Sequence, residues 1–143
     1  MIGKCLCGKV QFEIKGKVPH LYQCHCSLCR KQSGSSANAA TFIFESDFAW
    51  STGEDFITSF VKDTGFRTDF CSNCGSPVPN RLRTTDKYWV PAGLLEGEDD
   101  QEVVAHLYTQ SKACWDQLPS AGKQYKDMPD IETLNKALQR TSR

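Results

Sequence analysis

The stretch Cys24-His25-Cys26-Ser27-Leu28-Cys29 places three thiols within six residues, spaced C-x-C-x-x-C. Cysteines that serve only as small buried hydrophobes do not cluster in this way. Thiolates this close along a chain can converge on one soft cation, and zinc is the usual choice where sulfur dominates the donor set. Three protein donors leave one corner of a tetrahedron for water or a substrate, which separates catalytic zinc centres from structural ones. The remaining sequence reads as scaffold for this knuckle.

Two further thiol pairs lie far apart, in Cys5-Leu6-Cys7-Gly8 and in Cys71-Ser72-Asn73-Cys74-Gly75. Each is a two-ligand claw followed by glycine, and neither holds a metal well alone. Together they make a four-thiolate tetrahedral site, closed and structural, that contributes folding free energy directly. The trio at 24, 26 and 29 is one donor short. Water or a substrate thiol, His25, Cys114 or another histidine can each complete it. His25 sits between two ligands, so in an extended segment its ring points to the opposite face, to pack or to hydrogen-bond. His20 and His106 stand singly in strand-like contexts, where a structural role is expected. Cys114, in Ser111-Lys112-Ala113-Cys114-Trp115, has no companion thiol and reads as a free cysteine, yet it is the chief rival for the fourth position.

With 143 residues, the chain is expected to fold as one domain over 1–143. Seventeen basic and seventeen acidic side chains cancel, which gives no field for nucleic acid or an anionic membrane. No apolar run reaches the length of a signal peptide or a bilayer span, so a cytoplasmic protein is expected. Eight cysteines without a secretion signal fit metal binding better than a disulfide framework.

The patterning is mainly β. Val10–Ile14 alternates apolar and polar, and His20–Gln23 delivers the knuckle as a short strand. Arg30-Lys31-Gln32 suits a helical turn ending at Ser33-Gly34. From Ala39 to Val90, β-branched and aromatic runs at 41–44, 48–50, 56–61 and 66–70 alternate with turn signals, as in an antiparallel meander. Segments 77–79, 87–91 and 103–108 add further strands, with prolines at edges or ends. Glu96-Gly97-Glu98-Asp99-Asp100 reads as a solvated acidic turn. Ile131, Leu134 and Leu138 form the apolar stripe of one C-terminal helix, with Asp130 able to cap it.

Taken together, C-x-C-G, C-H-C-x-x-C-R-K, C-x-x-C-G and a late His106-x-Tyr108 followed by Trp115 resemble the glutathione-dependent formaldehyde-activating enzyme (Gfa) family, which also includes centromere protein V. The resemblance spans about residues 2–115, leaving a C-terminal helical extension at about 129–141. It implies a β-tent of small antiparallel sheets, with Cys5, Cys7, Cys71 and Cys74 at the structural zinc and Cys24, Cys26 and Cys29 at the catalytic zinc, two ions per chain. Cys114 is not a ligand position of that pattern. The implied activity is that of a carbon–sulfur lyase run in reverse, joining formaldehyde to glutathione as S-hydroxymethylglutathione. Arg30, Lys31 and the Ser33-Gly34-Ser35 backbone are candidate contacts for glutathione carboxylates, although Arg30 and Lys31 are more simply read as solvent-facing residues of a short helix. The expected partner is a small-molecule thiol, not nucleic acid or membrane. The reading leans toward an enzyme, against a non-catalytic zinc-stapled binding module or a protein that binds glutathione without turnover.

Overall fold

In the computed structural model, which describes residues 1–97 and 99–140, the β-rich patterning becomes short strands with two helices. Ile2–Lys4 (β1) and Gln11–Ile14 (β2) open the chain; Leu21–Cys24 (β3) then leads into a helix at Ser27–Ser33 (α1). Asn38–Phe44 (β4), Phe48–Thr52 (β5), Ile57–Val61 (β6) and Arg67–Cys71 (β7) follow. Next come Pro77–Val78 (β8), Asn80–Arg81 (β9), Lys87–Pro91 (β10) and Leu95–Glu96 (β11). Val103–Leu107 (β12), Lys123–Gln124 (β13) and the helix Ile131–Leu138 (α2) complete the described chain. Glu98 of the acidic turn, and the end of the expected C-terminal extension beyond Arg140, lie outside the described residues.

Two compact units divide the chain: residues 1–18 with 42–99, and residues from Pro19 to Thr41 with those from Asp100 onward. In the first, β11, β1, β2 and β5 form an antiparallel sheet, and β6, β7 and β8 form an antiparallel meander. The expected meander therefore exists only over β6–β8, because β5 leaves it to pair with β2. Phe12, Ile14, Val18, Ile43 and Val90 make the core, where Phe12 stacks on Phe48 at 5.4 Å and meets Trp50 edge-on at 6.1 Å. Gly3 lies opposite Phe12 across the β1–β2 pair, and a Cβ there would sit 2.0 Å from Phe12 Cζ. The Phe12 ring is fully buried and has nowhere to retreat. Gly3→Ala is therefore expected to destabilise by about 2–3 kcal/mol, the upper range for overpacking, seen as a lowered urea midpoint with an unchanged slope.

The second unit surrounds the knuckle. β3 pairs antiparallel with the first half of β4 and parallel with β12, and β13 adds a second parallel neighbour to β12. The β3–β12 pair joins strands about eighty residues apart in the chain. Helix α2 packs beside β12 and buries Leu134 and Leu138, with Asp130 Oδ1 accepting from the Thr133 N–H at 2.9 Å as its cap. Ile131 is half exposed, so the buried stripe starts one turn later than its spacing predicts.

Candidate metal centre

The C-x-C-x-x-C spacing works because it straddles the joint between a strand and a helix. Cys24 is the last residue of β3, Cys26 is the N-cap of α1, and Cys29 is its third residue. Cys26 Sγ accepts the Cys29 N–H at 3.4 Å, the usual bond of a capping side chain. The cap thus holds Cys29 beside Cys26, the strand end brings in Cys24, and the ligand atoms of Cys24, Cys26 and Cys29 lie within 4.8 Å of one another. Cys114 is exposed and belongs to neither convergent group of the described residues.

Bringing three thiols together couples their protons. A hydrogen bond from Cys29 and the N–H groups nearby lower Cys24 to about 6 despite its burial. That same bond to Cys24, together with burial and the nearby negative charge, pushes Cys29 far above the usual thiol range. Cys24 thus ionises readily while Cys29 resists ionisation, a situation that a divalent cation relieves.

The second group is built from two matching turns. Cys5 and Cys7 follow β1, and Cys71 ends β7, with Gly8 and Gly75 both at φ 80° where a side chain would be strained. Here Cys5 Sγ lies 3.6 Å from Cys7 Sγ, which in turn is 3.8 Å from Cys71 Sγ. A zinc tetrahedron with bonds of about 2.3 Å has sulfur–sulfur edges of about 3.8 Å, so this donor set fits the ion. Burial raises Cys71 to about 11. Burial acts the same way on Cys74, but the hydrogen bonds around Ser76 overcome it and bring that thiol to about 5. Ser76 was not legible as a contributor: its Oγ accepts from the Leu6 N–H at 2.9 Å and lies 3.4 Å from Cys74 Sγ, joining the two turns.

Strand parity separates the knuckle from its histidine. Cys24 is paired with Asn38 and Leu107, so those side chains share a face, and His25 emerges on the other. There His25 Nε2 lies 3.1 Å from His106 Nδ1, and His25 Nδ1 lies 3.2 Å from Asp116 Oδ2. His106 Nε2 faces the Ala121 carbonyl at 3.2 Å. That carbonyl can only accept, so His106 donates to it from Nε2. Burial pulls the His25 pKa down more than Asp116 pulls it up. His25 therefore takes no position in the thiol group, and His20 accepts the Glu102 N–H instead. A cleft of 750 Å³, lined by Gln23, Val104, His106, Gly122 and Lys123 among others, includes residues of this histidine face.

Tyr108 carries a signal that strand reading misses. It follows β12 in the left-handed region at φ 55°, ψ 43°, uncommon for an aromatic residue. Burial and then the charges of Cys24, Cys26 and Cys29 raise its pKa, so the phenol stays a hydrogen-bond donor in the field of the knuckle. Arg30 Nε is buried without a hydrogen-bond partner among the described residues, while Lys31 faces solvent.

No described helix is long and apolar enough to cross a membrane. A Rhodobacter sphaeroides protein of known crystal structure superposes with a TM-score of 0.57 and 24% identity, covering 73% of this chain and 100% of that one. This supports the fold alone. A Halomonas elongata protein named "Putative glutathione-dependent formaldehyde-activating enzyme" is 29% identical over 82 residues, 53% of this chain. The match takes in 52% of that relative, about half its length. Residues 1–111 match the family described as glutathione-dependent formaldehyde-activating enzyme, most of the chain and both thiol groups. The chain belongs to the glutathione-dependent formaldehyde-activating enzyme family.

Proposed function

We propose that this protein binds two zinc ions, a closed one at Cys5, Cys7, Cys71 and Cys74 and an open one at Cys24, Cys26 and Cys29. At the open site it joins formaldehyde to a thiol of the glutathione class. The observation that carries this reading is the donor count: three sulfurs converge at the knuckle, and Cys114 stands outside. Zinc bound there supplies a fourth position that accepts a thiol as its thiolate. The chain's own residues do the rest. Cys24, Cys26 and Cys29 fix the place of the sulfur, and Tyr108 offers a phenolic donor near the knuckle. In the addition, the sulfur lone pair forms the carbon–sulfur bond. The π pair of formaldehyde moves to its oxygen, which takes up the proton the thiol gave away. Arg30, one residue beyond Cys29, supplies a positive charge suited to a glutathione carboxylate.

Family membership supports the substrate pair, and the all-sulfur donor set supports a second reading. Three thiolates on one dication leave a net negative site, better at holding a thiol than at polarising a carbonyl. The alternative is thus a thiol carrier without turnover. Formaldehyde consumption by purified, zinc-replete protein with glutathione separates the two when compared with a control lacking protein. A rate above the control is expected. A rate equal to it, with glutathione still bound, leaves only the carrier.

A further inference from the structure

The match to the family ends at residue 111, yet the contacts that clamp His25 and His106 come from beyond it. Asp116 meets His25 Nδ1 at 3.2 Å, and the Ala121 carbonyl meets His106 Nε2 at 3.2 Å. Both imidazoles are almost wholly buried, at 2% and 0% exposure. Asp116 is itself held: its N–H donates to the Ala113 carbonyl at 3.0 Å, and its carbonyl accepts from Lys112 Nζ at 2.9 Å. The same segment returns as β13, where the Tyr125 N–H donates to the His106 carbonyl at 2.8 Å. A His25 backbone bond to the Leu107 carbonyl at 2.9 Å completes the grip.

His25 is flanked by Cys24 and Cys26 in the chain, so any rotation of its backbone swings two sulfurs of the trio at once. A buried ring with a polar partner within 3.2 Å of each nitrogen, inside a packed unit, resists that rotation. We propose that Asp116 is a positioning residue for the Cys24–Cys26–Cys29 group, acting through His25 and His106, and that the segment after residue 111 is thereby a working part of the metal centre. This rests on the reading of the trio as a zinc site, but not on any activity. Metal-ligand orientation set by a hydrogen-bonded partner outside the ligand set is commonly worth about 10–100-fold in affinity.

The test uses the full chain and reads zinc affinity at each site by chelator competition, with cobalt–thiolate absorption as the signature of trio geometry. Asp116→Ala is expected to weaken zinc at the trio by about 10–100-fold. The Cys5, Cys7, Cys71 and Cys74 site of the same molecule serves as reference and is expected to keep its affinity. Asp116→Asn, whose carboxamide can donate to or accept from Nδ1, is expected to restore the trio to within about threefold of the parent. A trio unaffected by Asp116→Ala, or an equal loss at both sites, overturns the proposal. If the alanine variant does not fold, the parent protein decides. Slowly exchanging imidazole N–H protons of His25 and His106 are expected to shift when the trio's metal is stripped, and their indifference overturns the proposal. A parent trio that takes up no zinc overturns this proposal together with the functional reading. Absence of formaldehyde chemistry touches only the latter.

Discussion

Cys71→Ser is expected to abolish cooperative folding of residues 1–18 and 42–99 in metal-replete buffer. Cys71 is fully buried, ends β7, and sits 3.8 Å from Cys7, so its sulfur links the amino-terminal turn to the β6–β8 meander. Structural zinc sites contribute about 10–16 kcal/mol of apparent binding free energy in small domains, against a total stability of about 5–15 kcal/mol for an ordinary domain. A serine hydroxyl does not ionise at neutral pH and is a poor replacement for thiolate. A loss of about 5 kcal/mol or more is therefore expected, enough to bring the unit to or past its midpoint. Dispersion of the amide resonances of that unit, followed with and without added zinc, checks it. Retention of the full native spectrum with zinc excluded would show that apolar packing of Val10, Val78 and their neighbours suffices by itself.

Cys24→Ser is expected to act on chemistry and leave the fold. The purified variant is expected to carry one zinc ion per chain fewer than the parent. Its glutathione binding should fall by at least about 100-fold, the scale on which loss of a positioned charged partner is felt. Its melting temperature should stay within a few degrees, because β3 keeps its backbone pairing to β4 and β12 whatever its last side chain is. Cys24 is the informative choice because its thiol, lowered to about 6, ionises readily near neutral pH. Thiol binding that survives in the variant would remove the knuckle from the mechanism. Global unfolding would instead make the knuckle a staple.

The two thiol groups were legible because metal-ligand geometry is partly local. C-x-C, C-x-x-C and a following glycine are the spacings that let a short turn present two sulfurs to one point, and those cysteines gather in the same two groups. Alternation and aromatic runs similarly marked most strands, since side-chain period is a property of the strand itself. The side of the sheet on which His25 emerges was also readable, because parity along an extended segment needs no partner. Pairing was not readable. Nothing near Phe48 says that β5 joins β2, and nothing near Val103 says that β12 lies parallel to β3.

The sequence by itself determined which cysteines form which group, that the chain is mainly β with a short C-terminal helix, and that the trio has three donors. Only the tertiary structure decided that Cys114 stays outside the trio, that Ser76 joins the two outer turns, and that Asp116 and Ala121 close a line of polar contacts through two buried histidines. Ligand spacing is written within a few consecutive residues. The partners of a lone histidine or serine are set by strand register between segments some seventy to ninety residues apart, where no local pattern records the contact.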